Sequence, residues 1–375
     1  MGVKTKNKPN RATTQDTGRL FDLFKRHLNW NKARLKCFAL FVLAVLEERT
    51  VSLSALSLAG CSTVRSESLF RRFQRFLAGH DFEIAEVGSL VVGLLARPKQ
   101  GWVLAMDRTN WKFGRKHVNI LVLSVVVGKM AFPVLWKVLP ASTKRGNSKQ
   151  IHRVSLMKKL LGEIMAAREI RALVMDREFN GQRWLAWLEK RGVPYVPGVK
   201  RNTWIGERKA LDLCLRNRWK RWRDHRFAVF GRDLYFAAKK IGKRRDSRLA
   251  VVSNKFRGGE ALEIYRLRWG IECFFGHLKK RGFRFEDTHL TIGKRIERLV
   301  AVLAVAFTLC YRWGMVREAR SGKKIKNHGY RAKSLFRQGF DSLHRMVKRP
   351  VEFAEELKEF VWKVLSSMLA ENFVV

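Results

Sequence analysis

Three acidic residues far apart in the chain, Asp107, Asp176 and Glu272, stand where carboxylates can hold hard divalent cations. Asp107 follows the apolar stretch Trp102-Val103-Leu104-Ala105-Met106, and Asp176 follows Ile170-Arg171-Ala172-Leu173-Val174-Met175. Both stretches read as buried strands ending in an aspartate. If the strands pair, the two carboxylates emerge at one sheet edge, on a scaffold rigid enough to fix them. Magnesium prefers such oxygen ligands and keeps waters for a nucleophile and a substrate phosphate. The chemistry open to this set is therefore metal-assisted phosphodiester cleavage. A strand-end aspartate by itself is also an ordinary turn starter or helix N-cap, and only the matching pair tilts the reading.

The third carboxylate lies in Ile264-Tyr265-Arg266-Leu267-Arg268-Trp269-Gly270-Ile271-Glu272, within a segment from Gly259 to Arg281 that reads as one long helix. Tyr265, Arg268, Glu272 and Lys279 are separated by two, three and six residues. On a straight helix these four fall within an arc of about 60°. Leu267, Ile271, Phe274 and Leu278 point away from that arc, toward a core. The bland alternative is a solvated face with an Arg268–Glu272 pair at i,i+4, a contact worth only about 0.3–0.5 kcal/mol. Glu263 falls on the apolar side of the same wheel, which makes it a poor ligand, and Glu286 and Asp287 read as capping or solvated residues. Glu178 is left without a role, and His277 reads as a phosphate or solvent contact near the site face.

The elements that must carry these residues follow from periodicity. Asn119–Val127 and Ala131–Leu139 are β-branched apolar runs on either side of Gly128-Lys129. A helical stretch from Ser148 leads to the second aspartate strand, and a helix from Gly181 leads to a short strand at Tyr195–Val199. Lys200–Arg248 is strongly basic and holds Trp204, Trp219 and Trp222, with a hairpin expected around Gly231-Arg232-Asp233. The first 18 residues read as disordered. Asn31 can cap a helix, and Ser52–Gly60 followed by Ser62–Leu77 resembles a helix-turn-helix. Its second helix gathers Leu69, Phe73, Phe76 and Leu77 on one side and Arg65, Arg71, Arg72 and Arg75 on the other. That basic side is either a DNA-facing surface or simply a solvated one.

The composition names the class of partner. The 375 residues include 77 Lys+Arg against 32 Asp+Glu, a formal net charge of +45. Such a charge calls for a polyanion, nucleic acid before an anionic membrane, since no lipidation motif or amphipathic anchor supports the latter. Five scattered cysteines form no C-x-x-C pair, which argues against a zinc ribbon or disulfide framework and for reduced thiols. The N-terminus has no apolar stretch of signal-peptide type, and the apolar run Leu299–Tyr311 is short for a bilayer span, so a cytoplasmic protein with no membrane partner is expected.

Tyr-(2)-Arg-(3)-Glu-(6)-Lys at Tyr265, Arg268, Glu272 and Lys279 resembles the YREK signature of bacterial insertion-sequence DDE transposases of the cut-and-paste type. Asp107-Arg108-Thr109-Asn110-Trp111, Gly146-Asn147-Ser148 and Val174-Met175-Asp176-Arg177-Glu178-Phe179 resemble the family's blocks around its two aspartates, and Arg331–Gly339 resembles its tail. The resemblance implies an α/β fold with a ribonuclease H-like catalytic core, a β-rich insertion and flanking helical regions. It places a helical DNA-binding domain at 1–97, the core at 98–199 and 255–295, the basic insertion at 200–254 and a helical region at 296–375. It also implies that Asp107, Asp176 and Glu272 hold two Mg²⁺ ions, with Mn²⁺ able to substitute. Tyr265, Arg268 and Lys279 would then grip phosphates of double-stranded DNA, both the transposon terminal inverted repeats and the target. A homodimer would pair two ends, a hairpin often forms at the transposon end, and an aromatic residue receives a flipped base: Trp204, with Trp219 and Trp222 as rivals. Arg65, Arg72 and Arg75 would join the DNA interface. A ribonuclease H-like nuclease without strand transfer, or a non-enzymatic helix-turn-helix binder, are the alternatives.

Overall fold

The computed structural model describes residues 11–114, 116–140, 148–215, 224–241, 248–327 and 329–365, with side chains omitted for 11–17 and 215. Gly146, Asn147, Trp219 and Trp222 lie outside the described residues. The chain divides into two compact units, residues 97–275 and a helical unit formed by segments on either side of it, 1–96 and 276–373.

The helical unit begins with α1 (Arg11–His27) and α2 (Lys32–Glu48). The helix thus includes residues 11–18, which the polar composition assigns to a disordered segment; Leu20, Leu23 and Phe24 on its later turns are buried and anchor it. Asn31 caps α2 through its side chain, accepting from the Arg34 N–H at 2.9 Å. The stretch that resembles a helix-turn-helix in sequence consists of a single turn, α3 (Leu53–Leu56), and a full helix, α4 (Ser66–Gly79). The buried carboxylate of Glu47 pins the connection between them by accepting from the N–H groups of Gly60 and Cys61 at 2.8 and 3.0 Å. α5 (Ile84–Gly93) completes the N-terminal part.

Residues 97–275 build the α/β unit. β1 (Trp102–Phe113), β2 (Lys116–Val127) and β3 (Met130–Val138) form an antiparallel meander. After α6 (Gln150–Glu163), β4 (Ile170–Met175) joins β1 in parallel. α7 (Gln182–Lys190) leads to β5 (Tyr195–Pro197), parallel to β4, so the sheet order is β3-β2-β1-β4-β5. Its strands read as near-continuous apolar runs because both faces are covered; Leu104, Ala105, Met106, Leu173, Val174 and Met175 are fully buried. The insertion contributes a two-stranded piece, β6 (Trp204–Ile205) with β7 (Arg208–Lys209), a short α8 (Ala210–Leu215), and a second antiparallel sheet of β8 (Arg226–Val229), β9 (Arg232–Lys240) and β10 (Arg248–Ser253). The hairpin turns at Phe230-Gly231, one residue earlier than its composition suggests. A bridge between Gly198 and Val251 joins the two sheets.

The segment read as one long helix is two. α9 (Gly258–Arg266) and α10 (Trp269–Leu278) are separated at Leu267-Arg268, where i→i+3 hydrogen bonds replace the α-helical ladder. Gly270 explains why the second helix starts where it does: a Cβ there would stand 3.0 Å from the Ala131 N, so the helix passes hard against the β2–β3 turn.

The helical unit closes with α11 (Gly293–Ser321), α12 (Leu335–Lys348) and α13 (Ala354–Phe360), which runs on into a π-helical turn to Leu365. α11, read from sequence as an apolar core of 13 residues, extends to 29 and is long and apolar enough to cross a membrane. Here it is instead the axis of the unit, 83% buried over its most apolar window and packed by α2, α4, α5 and α12. Its crossing with α12 is backbone on backbone. A Cβ on Gly339 would lie 1.7 Å from the Cys310 carbonyl oxygen, so only glycine fits. Arg298 on α11 satisfies the end of α4 by donating to the carbonyls of Leu77 and Ala78 at 2.7 and 2.8 Å.

Candidate active site

The site grows from strand register. Met106 pairs with Met175 as the last step of the parallel β1–β4 ladder, so Asp107 and Asp176 are the next residues of two adjacent strands. Parallel strands carry residues in register to the same edge, which brings both carboxylates there. Asp107 does not end its strand, as its composition suggests. β1 continues to Phe113 against β2, with Asp107 opposite Val122. Only the parallel pairing stops, because β4 turns into a 3₁₀ turn at Arg177–Phe179.

The break between α9 and α10 supplies the third partner. Arg268 sits in it and reaches both acids: Nη1 donates to Asp107 Oδ2 at 3.0 Å, and Nη2 donates to Glu272 Oε1. One guanidinium thus bridges Asp107 and Glu272. The Arg268–Glu272 half is the i,i+4 pair that a straight helix also allows; the contact to Asp107 is made from the break between α9 and α10, with Glu272 on the first turn of α10. Tyr265 closes the other side. Its ring lies 5.7 Å from the Arg268 guanidinium, and its hydroxyl packs against Gly198, where a Cβ would come within 2.5 Å of it. Gly198 is itself held by the Met175 carbonyl through its N–H, at 3.0 Å, and by Asn180 Nδ2 at its own carbonyl, at 2.7 Å.

Burial sets the electrostatics. It pushes the Asp107 carboxyl up to about 6; the Arg108 N–H and Arg268 oppose the shift, and Asp176 and Glu178 add to it. Burial likewise raises the Tyr265 hydroxyl to about 12, so it is a neutral donor at any physiological pH. For Arg268 burial disfavours the charge, but Tyr265, Asp107, Glu272 and Asp176 together outweigh it and hold the guanidinium above its ordinary range. The Arg268 Nε is buried and, among the described residues, has no acceptor.

The donor set has the chemistry a hard cation needs, three carboxylates, one within β1, one just past β4 and one on α10. Among the described residues, though, no three His, Cys, Asp or Glu side chains are gathered closely enough to hold an ion together. The guanidinium of Arg268 lies between Asp107 and Glu272 and serves both as an internal counter-ion.

Other residues singled out in the sequence fall elsewhere. α10 ends at Leu278, so Lys279 stands just past it, with Nζ 3.1 Å from Glu286. Trp204 is exposed on β6, with Lys209 Nζ 5.8 Å from its ring centroid. Arg65, Arg72 and Arg75 are exposed around α4, whose Leu69, Phe73, Phe76 and Leu77 are buried. Glu263 is exposed rather than on the apolar side, and pairs with Arg266 at 2.7 Å. His277 is half-buried and packs against Phe336, ring centroids 4.3 Å apart, and burial lowers its imidazole to about 4. Glu178, given no role from sequence, forks onto Arg108. The signal was there: opposite charges one and two residues beyond the two strand-end aspartates.

A family model described as Transposase DDE domain matches residues 98–309, more than half of the chain. Comparison with curated proteins gave no match.

Proposed function

From the premise that the chain belongs to the transposase DDE-domain family, we propose that it is a cut-and-paste DNA transposase of bacterial insertion-sequence type. On this reading Asp107, Asp176 and Glu272 are its catalytic carboxylates, in a ribonuclease H-like core. The family comprises DNA transposition enzymes that use divalent metal ions. The observation that carries the residue assignment is the adjacency of Asp107 and Asp176 just past the Met106–Met175 pair, with Arg268 linking Asp107 to Glu272. The sheet order β3-β2-β1-β4-β5, with β2 antiparallel to its neighbours, supports the ribonuclease H-like assignment. The YREK spacing supports the insertion-sequence assignment.

Mg²⁺ ions bound by the three carboxylates, with Mn²⁺ as a substitute, would supply Lewis acidity for a water or a DNA 3′-hydroxyl and charge for the leaving oxygen. The chain's own residues do the remaining work. Arg268 carries its full charge and a buried Nε without an acceptor, so an arriving phosphate offers it a better partner than two shared carboxylates. As Arg268 turns to the phosphate, Asp107 and Glu272 lose their internal counter-ion. Tyr265, kept neutral by burial, donates from a fixed position. Lys279 adds a point charge to the phosphates, Trp204 offers an exposed face to an unstacked base, and Arg65, Arg72 and Arg75 grip the flanking duplex. Two copies hold the two ends.

The test is cleavage of DNA carrying the inverted repeats that flank the gene, with Mg²⁺ or Mn²⁺. Asp107→Asn, Asp176→Asn and Glu272→Gln should each abolish cutting and leave DNA binding intact. Normal cutting by any one of them refutes the assignment. Cutting without strand transfer to added target would instead mark a simple nuclease.

A further inference from the structure

The acids at the sheet edge are tied together by a second, separate contact. Arg108 follows Asp107, and Glu178 stands two residues beyond Asp176. The Arg108 guanidinium meets the Glu178 carboxylate as a fork, Nε to Oε1 at 2.5 Å and Nη2 to Oε2 at 2.6 Å. Both side chains are largely covered, 12% and 20% exposed. A two-bond fork fixes direction as well as distance, which a single surface ion pair does not. It closes a short ring through the backbone, from Asp107 to Arg108, across to Glu178, and back through Arg177 to Asp176.

Backbone hydrogen bonds do not provide this constraint. The parallel ladder between β1 and β4 ends at Met106–Met175, and beyond it β4 leaves the sheet in a 3₁₀ turn. Asp107 and Asp176 therefore sit on the first step beyond that ladder: β1 stays paired with β2 through Asp107, but the parallel ladder no longer ties the end of β4 to it. Arg153 on α6 backs the turn. Its guanidinium lies 5.0 Å from the Phe179 ring and donates to the Ser148 hydroxyl and carbonyl at 2.9 and 2.6 Å. Successive strand residues face opposite sides, so the Arg108 side chain holds the edge from the side away from the Asp107 carboxylate, which accepts from the Arg108 N–H and from Arg268 instead.

We propose that Arg108 and Glu178 are positioning residues that lock the separation of Asp107 and Asp176 for divalent-cation binding. Glu178 thus serves as a counter-ion to Arg108 and not as a further metal ligand. The proposal rests on the assignment of Asp107 and Asp176 as metal-binding acids.

The experiment measures Mn²⁺ affinity of the full chain bound to DNA carrying the flanking inverted repeats, by electron paramagnetic resonance with the same DNA alone as reference, alongside the thermal unfolding midpoint. Partners that orient metal-binding groups typically matter by 10–100-fold in affinity. E178Q should weaken Mn²⁺ binding by about tenfold or more. The neutral pair R108Q/E178Q, which keeps the wild-type net charge, should be as weak as E178Q. The reversed pair R108E/E178R should recover most of the loss. Wild-type affinity in R108Q/E178Q, or no recovery in R108E/E178R, overturns the proposal. If E178Q fails to fold, the comparison of R108Q/E178Q with R108E/E178R decides alone. D107N separates the two layers of the argument. Wild-type Mn²⁺ binding in D107N removes the underlying site assignment, whereas lost binding in D107N together with wild-type binding in R108Q/E178Q removes the positioning role only.

Discussion

Replacing Asp107 with asparagine should make the metal-free chain more stable, not less, at neutral and alkaline pH. Burial lifts the Asp107 carboxyl from its ordinary 3.8 to about 6 against the pull of Arg268. Below 3.8 the folded and unfolded chains both hold the proton, and the group has no effect on stability. Between 3.8 and 6 the folded chain keeps a proton that the unfolded chain releases, so stability from this site falls as pH rises through that window. Above about 6 the loss is complete. At 1.36 kcal/mol per pH unit it amounts to about 3 kcal/mol. The Asp107 side chain is only 15% exposed, so solvent screening takes little from that figure. Asparagine has the shape of the protonated acid and carries no charge, so D107N escapes the loss. With an unfolding entropy of about 2.1 cal/mol/K per residue, the unfolding midpoint should rise by roughly 4 °C at pH 8. The assay is thermal unfolding of wild type and D107N in chelator from pH 4 to 8. The two curves should merge near pH 4 and separate through pH 6. A D107N chain less stable than wild type at pH 8 would refute the reasoning, because it would mean that Arg268 outweighs burial.

Two glycines give independent checks of the packing. Gly198→Ala would put a Cβ 2.5 Å from the Tyr265 hydroxyl, and it should cost about 1–3 kcal/mol in urea unfolding while reducing DNA cleavage sharply through displacement of the Tyr265 ring. Gly339→Ala would put one 1.7 Å from the Cys310 carbonyl oxygen; because backbone and not a side chain is in the way, it should cost on the order of 4 kcal/mol by circular dichroism melting, or prevent folding.

The strands of the central sheet were legible because each is a continuous apolar run, and a strand such as Leu121–Val126 can hardly be anything else. The two aspartates were legible from the same runs. What the sequence did not disclose was how far β1 extends past Asp107, since pairing with β2 continues through polar residues such as Asn110 and Asn119. The kink at Leu267-Arg268 was invisible for a related reason. No proline or glycine stands at Leu267-Arg268 itself, and the tight passage of Gly270 against Ala131 just beyond it is a tertiary contact. That kink changes the site most, since it lets Arg268 face Asp107 while Glu272 stays on the helix. The Arg108–Glu178 fork escaped attention because a 3₁₀ turn, and not strand continuation, follows Asp176.

The central claim is that Asp107, Asp176 and Glu272 converge on bound divalent ions when DNA displaces Arg268. Fe²⁺ in place of Mg²⁺, with ascorbate and peroxide, cuts a polypeptide where the ion is held. With transposon-end DNA present, cuts should cluster in three segments, around Asp107, Asp176 and Glu272, and disappear together in D107N. Cuts around the two aspartates that leave the Glu272 segment intact, or cuts unaffected by D107N, would contradict the account.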